Sequence, residues 1–300
     1  MKNASKTLIF FGNERLVSGL KSTDAPVLTG LITSGYTIAA IVSHHSDGQS
    51  RNNRPLEVAE IAKKHNIPVL LPNKPAEIHE QLAAFNADAA ILVAYGRIIP
   101  QSVIDIFPKG IINIHPSLLP LYRGPTPIES AIANGDTQTG ISIMQLTAGM
   151  DEGPVFTQEI VPLHADETKF ELYSTLAAKS ATTLLRVLPA ILDGTLMPTP
   201  QDASQATYCS LLDKKDSRLD PTQYTASEAE RRIRAHLGYP KSKLTLLGHD
   251  CVITKAHTST TKETPIDVSF KDDVFLCVDE LIAPSGKQMN ITAFLRGYQN

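Results

Sequence analysis

The sequence predicts an α/β chain, in which a doubly wound domain on a mostly parallel sheet is followed by a small β-rich unit. Three observations carry this prediction. Short β-rich runs alternate with helix-patterned segments through the first two-thirds of the chain. Those runs are continuously apolar, as strands are when helices cover both faces of a sheet. After Gly194 the texture changes to Pro, Thr, Gln and Ser, and then to short β-like runs separated by turns.

In chain order, TLIFFG (residues 7–12) is a β-branched and aromatic run that stops at glycine. TIAAIVSH (37–44), IPVLLP (67–72) and DAAILVAYG (88–96) follow as strands, then GIINIH (110–115) and GISIMQL (140–146). Between them, RPLEVAEIAKKHN has a proline near its first turn and gathers Leu56, Val58, Ala59, Ile61 and Ala62 on one side. The longer helical pattern TKFELYSTLAAKSATTLLRVLPAILDG is expected to break at Pro189 and to stop at Gly194. TLMPTPQDASQAT (195–207) reads as a linker. One amphipathic helix, SEAERRIRAHLG, is expected to open at Ser227 and close at Gly238. SKLTLLG, HDCVITKAHT and VFLCVDELIAP are the strands of a small barrel or sandwich.

Composition removes several function classes. The chain has 300 residues, a formal net charge of −3 and 42% hydrophobic residues, so bulk charge does not point to nucleic acid or membrane. Three widely spaced cysteines form no CxxC pair, which argues against a disulfide framework and a cysteine-rich zinc site and suggests a reducing compartment. The N-terminal apolar run is too short for a signal-peptide core, and no uninterrupted apolar segment spans a bilayer. A cytoplasmic protein is the expectation. The histidines lack metal-ligand spacing, so no metal is expected. Gly12 opens no GxGxxG fingerprint.

Polar groups concentrate in three apolar or glycine-bounded places. In IINIHPSLLPLYRG (111–124), Asn113 and His115 stand two apart and therefore share one strand face. In GMDEGP, Asp151 sits between glycines just after a predicted strand, and VAYGRIIP turns a strand end through Gly96. An amide, an imidazole and a carboxylate make a coherent set for acyl-type transfer to an amine: an oxyanion donor, a proton relay and a group that orients the relay. The same residues also read as satisfied polar core positions and a turn aspartate, Ser117 as a turn cap and Tyr95 as an aromatic wall. Ligands of open α/β sheets bind beyond the carboxyl ends of strands, which is where this pair falls.

NIHPSLLPLYRGPTPIESAI closely resembles the signature of the folate-dependent formyltransferases, in which Asn-x-His-(Gly/Pro)-Ser-Leu-Leu-Pro recurs. GISIMQLTAGMDEGPVFTQEIVPL resembles the segment of that family carrying its catalytic aspartate. The resemblance implies a Rossmann-like formyltransferase fold with Asn113, His115 and Asp151 in the catalytic positions. It also implies a 10-formyltetrahydrofolate pocket lined by Ser117, Leu118, Leu119 and Pro120, with Val93, Ala94, Tyr95, Gly96 and Ile98 opposite, and no metal. Arg123 is expected to fix its loop rather than meet substrate.

The order ATYCSLLDKKDSRLD, ASEAERRIRAHLGYPKSKLTLLG and IAPSGKQMNITAFLRGYQ resembles the tRNA-acting branch of the family, whose second domain is a small OB-like barrel. The implied organisation is a catalytic domain over 1–194, a linker over 195–207 and a tRNA-binding domain over 208–300. The implied acceptor is the α-amine of initiator methionyl-tRNA, with a monomer expected. Amino sugar nucleotides are the rival acceptors, and a non-catalytic folate- or RNA-binding relative is the rival from another class. Candidate phosphate contacts are Arg51 and Arg54 in the loop before RPLEVAE, and Arg231, Arg232, Arg234, Lys241 and Lys243 in the second domain. A solvated helix face explains that second run equally well. Two segments depart from the family pattern: the turn after the first strand, GNERLVSGLKSTDAPVL, and the loop SHHSDGQSRNNRPLEVAE, which is short and carries few cations.

Overall fold

The computed structural model describes residues 6–44 and 56–298. Among them β1 (Thr7–Gly12), α1 (Pro26–Thr33), β2 (Thr37–Val42), α2 (Glu57–His65) and β3 (Val69–Leu70) form the first half of a doubly wound sheet. α3 (His79–Ala84), β4 (Ala89–Val93), α4 (Gln101–Ile104), β5 (Ile111–His115), α5 (Pro127–Asn134), β6 (Gln138–Gln145), β7 (Val155–Pro162) and α6 (Lys169–Asp193) complete it. The strand order is β3-β2-β1-β4-β5-β6-β7, parallel from β3 through β5 and antiparallel at β6 and β7. The chain switches direction across the sheet between β1 and β4, leaving a crevice at the carboxyl ends of the central strands.

The continuous apolar strands divide their side chains between two cores. Leu8, Phe10, Ile91, Ile112 and Ile114 join α1 and α6 on one face. Ile9, Phe11, Ala90, Leu92 and Ile111 join α3 and α4 on the other. Alternation places Asn113 and His115 on the Ile111 side. That core ends at Ile111, so the strand runs past its apolar cover just where its polar pair begins. At Gly12 a Cβ would lie 1.8 Å from the Val93 carbonyl oxygen, so β1 and β4 meet there only because the residue is glycine.

α6 runs unbroken from Lys169 to Asp193 through Pro189, correcting the expected break. Leu184, Val187, Leu188, Ile191 and Leu192 are buried on both sides of the proline, and this burial offsets the single lost helical hydrogen bond. The helix is long and apolar enough to cross a membrane by length and composition, and 56% of its most apolar window is buried inside the molecule. Its apolarity has a packing explanation: it covers the sheet.

Beyond α6 lie α7 (Ala226–Ala235), β8 (Ser242–Leu246), β9 (His249–Ser259), β10 (Val268–Ser269), β11 (Phe275–Ile282), β12 (Gln288–Asn290) and α8 (Ile291–Tyr298). These strands form a separate antiparallel sheet in the order β10-β11-β9-β8, with β12 on β11, making a small barrel-like unit with its own core. α7 begins at Ala226, not at Ser227. Thr225 Oγ1 accepts from the Glu228 N–H at 3.1 Å while Glu228 Oε2 accepts from the Thr225 N–H at 2.7 Å, a complete capping box. The two units are joined by buried polar contacts. Lys169 Nζ donates to the Tyr239 carbonyl at 3.0 Å and lies 3.5 Å from Glu129 Oε1. The Arg234 guanidinium donates to the Glu167 carbonyl at 2.7 Å.

Candidate active site

Asn113 and His115 are each 5% exposed at the end of β5. His115 Nε2 lies 2.9 Å from the Tyr122 carbonyl oxygen. A carbonyl only accepts, so Nε2 carries a proton and Nδ1 is the nitrogen free to exchange one. Nδ1 faces Asp151 Oδ2 at 3.7 Å. The other carboxylate oxygen, Oδ1, accepts from Asn113 Nδ2 at 3.5 Å, and Oδ2 accepts from the Gly124 N–H at 2.9 Å. The long contacts are the ones to the amide and the imidazole, and the short one ties down the carboxylate. This is a preorganised but slack set, of the kind that tightens when substrate enters.

Three loops converge here, and each holds a non-glycine residue in left-handed backbone: Ala94 at φ 52°, Tyr122 at φ 55° and Asp151 at φ 51°. Such residues cost roughly 1–3 kcal/mol each and persist where the surroundings dictate them. At Tyr122 and Asp151 the constraint serves the site directly. The Tyr122 turn aims its carbonyl at His115, and the Asp151 turn aims its carboxylate across β5. Gly153 follows so closely on Gln145 that a Cβ would lie 1.8 Å from its carbonyl oxygen, which fixes the exit of the aspartate loop.

The predicted folate-lining residues divide by exposure. Ser117 is fully buried, and its hydroxyl donates to the Leu121 carbonyl at 2.6 Å. Leu119 is 5% exposed, and its N–H donates to Ser142 Oγ at 3.0 Å. These two therefore brace the loop. Leu118 is half-buried against Gly140, where a Cβ would lie 2.4 Å from the leucine Cδ2, and Pro120 is half-buried. Opposite, the Val93 and Tyr95 side chains belong to the two cores. Half-buried Ala94, exposed Gly96 and Ile98, which is 86% exposed, are left to present surface. A Cβ at Gly96 would touch only His44 Nε2, at 3.8 Å, and the exposed aliphatic side chain of Ile98 stands nearby in the chain, a surface that suits a flat, partly apolar heterocycle. The residues present fit a folate.

The run 195–207 packs as a strap across these loops. Thr199 and Val155 exchange both backbone hydrogen bonds at 2.8 Å. Arg123 N donates to the Thr207 carbonyl and Cys209 N to the Arg123 carbonyl, each at 2.9 Å. Arg123 is 4% exposed and donates to Gln201 Oε1 at 2.9 Å and 3.1 Å and to Tyr208 Oη at 3.0 Å, so its guanidinium holds loops together. Gln201 carried no signal in the sequence beyond a polar, proline-containing texture, and Tyr208 and Cys209 carried only their place in the ATYCSLLDKKDSRLD resemblance.

Of the predicted phosphate contacts, Arg51 and Arg54 lie outside the described residues. Arg234 is 9% exposed and its guanidinium is committed to Glu230 at 2.7 Å, correcting the expectation of a solvent-facing cation. Arg231 is half-buried and donates to the Ala133 carbonyl at 3.2 Å, and Arg232 covers the Tyr224 ring at 4.2 Å. Lys241 and Lys243 are exposed. Folding also gathers three possible metal-ligand atoms that sequence spacing did not reveal. They belong to His257, Glu263 and Cys277 and lie within 4.8 Å of one another in the second unit. There the imidazole bonds Asp279 at 3.0 Å and Glu263 at 3.2 Å.

Comparison with known proteins decides the family. Residues 15–188 match the family described as formyl transferase. The chain belongs to that family. This formyltransferase is 40% identical over 230 residues to the methionyl-tRNA formyltransferase of Chloroflexus aggregans, covering 75% of this chain and 74% of the relative. It is 34% identical over 288 residues to that of Pseudomonas putida (strain GB-1), covering 92% and 93%. Its fold matches the N-formyltransferase from Helicobacter canadensis in complex with folinic acid and dTDP-3-aminofucose, with a TM-score of 0.70 at 16% identity over 92% of this chain and 99% of the other. HypX from Aquifex aeolicus in complex with tetrahydrofolic acid superposes with a TM-score of 0.67 at 16% identity, over 98% of this formyltransferase and 47% of HypX.

Proposed function

We propose that the protein transfers the formyl group of 10-formyltetrahydrofolate to the α-amine of initiator methionyl-tRNA. The observation that carries this reading is the extent of the likeness. Identity of 34% with a methionyl-tRNA formyltransferase runs over 288 residues, and so includes most of the barrel-like unit as well as the formyl transferase segment.

The folate is the substrate that supplies the formyl carbon; the amine–carbon bond forms as the bond from that carbon to N10 breaks. Asn113 Nδ2 donates to the formyl oxygen as negative charge gathers there, a contribution of about 10²–10³ in rate. Nδ1 of His115 takes up the proton that the amine loses on attack and passes it to the departing nitrogen, with general acid–base help of roughly 10²–10⁴. Asp151 orients both partners from opposite ends of one carboxylate. Leu118, Pro120, Ala94, Gly96 and Ile98 offer surface to the folate, while buried Ser117, Leu119, Val93 and Tyr95 hold the walls. The catalytic unit ends with α6, and the barrel-like unit holds the acceptor tRNA. Lys241 and Lys243 are its free-standing phosphate contacts, with Arg231 and Arg232 beside them on α7.

The test offers purified protein 10-formyltetrahydrofolate with either charged initiator tRNA or a dTDP-amino sugar. Formyl-methionyl-tRNA is the expected product. Formyl transfer confined to the sugar would overturn the acceptor, and no transfer to either would overturn the reading.

A further inference from the structure

In the strap, the Gln201 side chain bonds the backbone of the aspartate loop and the guanidinium of the 122–124 loop. Gln201 Nε2 donates to the carbonyl oxygens of Asp151 at 2.8 Å and of Gly153 at 2.7 Å. Its Oε1 accepts from Arg123 Nη2 at 2.9 Å and Nε at 3.1 Å. This amide can be oriented only one way. Carbonyls accept and a guanidinium donates, so the flipped amide would be wrong at all four contacts. Each end of the bridge leads to a reacting group. The Asp151 and Gly153 carbonyls lie just after the left-handed Asp151 backbone that aims its carboxylate at Asn113 and His115. Arg123 follows Tyr122, whose carbonyl holds His115 Nε2, and precedes Gly124, whose N–H holds Asp151 Oδ2.

We propose that Gln201 is a positioning residue for formyl transfer. Its bridge sets the spacing between the aspartate loop and the 122–124 loop, and thereby the reach of Asp151 to Asn113 and His115. The contacts it controls are the slack ones, at 3.5 Å and 3.7 Å, where a small shift decides whether the three groups act together. Misplacement by about 1 Å at such a site costs up to roughly 10²-fold in rate. This rests on the assignment of Asn113, His115 and Asp151 as the reacting site. It adds that the site is completed by a residue beyond the segment that matches the family, since residues 15–188 stop short of the strap.

Gln201→Glu separates the two halves of the bridge. A carboxylate still accepts from Arg123 but has nothing to donate to the two carbonyls and repels them. Gln201→Met removes both halves at similar volume. For both variants kcat is expected to fall about 10–100-fold while KM for the folate and the tRNA stays within about threefold. Hydrogen exchange at the Gly124 amide, bonded to Asp151 Oδ2, is expected to speed up with the rest of the sheet unchanged. In single turnover, adding Gln201→Glu to Asp151→Ala is expected to cost under about threefold more, because both changes remove one function.

A kcat within twofold of wild type in both variants would overturn the proposal. So would a full additional loss on the Asp151→Ala background, or unchanged Gly124 exchange. The exchange measurement needs no turnover, so it judges the bridge even if the wild-type protein formylates neither acceptor, a result that counts against the functional reading alone.

Discussion

Residues 111–124 and 199–209 meet backbone to backbone at the candidate site, yet they differ in what the sequence shows of them. In the first stretch an amide and an imidazole interrupt an apolar strand, an anomaly visible without a structure. In the second, Gln, Thr, Tyr and Cys stand among residues of linker composition. The first stretch supplies groups chosen for their chemistry, and only a few residue types can do that work. The second acts through amide and backbone hydrogen bonds, for which many residue types would serve in other geometries, so its composition is uninformative. A segment that holds a site together can therefore look like a spacer.

The largest expected effect falls on the first stretch. His115→Ala removes the proton-carrying Nδ1 and should lower kcat/KM about 10²–10⁴-fold, with folate affinity held within a fewfold, measured by turnover and equilibrium dialysis. Retained turnover would place the chemistry away from the strand.

Next is the seam between the stretches. At Gly124, with φ 117°, a Cβ would lie 2.3 Å from the Cys209 carbonyl oxygen. Gly124→Ala should cost roughly 2–3 kcal/mol in urea unfolding, because the backbone conformation and the close approach both disfavour it. A loss under about 0.5 kcal/mol would show that the strap yields and is a poor brace.

A smaller effect is expected from the strap's exposed face. Tyr208 Oη accepts from Arg123, but the residue is 59% exposed, and Gln201 and Glu152 also attend that guanidinium. Tyr208→Phe should leave kcat within about threefold of wild type, since an exposed hydrogen bond contributes only about 1 kcal/mol. A tenfold loss would make the ring itself part of the acceptor site.

The weakest net effect is on stability against pH, and it originates outside both stretches. Burial pushes the Glu14 carboxyl up to about 7, against the pull of the Leu28 and Val27 N–H groups it accepts from. Its stabilisation is complete below pH 4.5 and is lost as pH rises through about 7. Burial, with Arg232 and Lys169 nearby, pushes His236 down to about 4 from 6.5. Its stabilisation is complete above pH 6.5 and is lost as pH falls through about 4. The slopes oppose one another, so wild-type stability should be nearly flat between about pH 4.5 and 6.5. Glu14→Gln should expose the His236 slope as a progressive loss toward acid, read from urea midpoints. No slope in that variant would show that His236 is protonated alike in folded and unfolded chains.

Much of the fold was legible because burial writes itself as hydrophobicity. β1, β2, β4, β5 and β6, and β8, β9 and β11 in the second unit, fall on the runs that predicted them. What could not be read was set by tertiary context. Pro189 sits in an unbroken helix because its neighbours are buried, and Arg234 turns inward to the Glu167 carbonyl and Glu230. Of the two readings the sequence left open for Ser117, its hydroxyl takes the turn cap, serving the Leu121 carbonyl.

If the polar pair at the end of β5 performs the transfer, Asn113→Ala removes the oxyanion donor, Asn113 Nδ2. Single-turnover formyl transfer to methionyl-tRNA at saturating 10-formyltetrahydrofolate should slow about 10²–10³-fold while folate still binds. A single-turnover rate within about threefold of wild type would place the oxyanion donor elsewhere than Asn113.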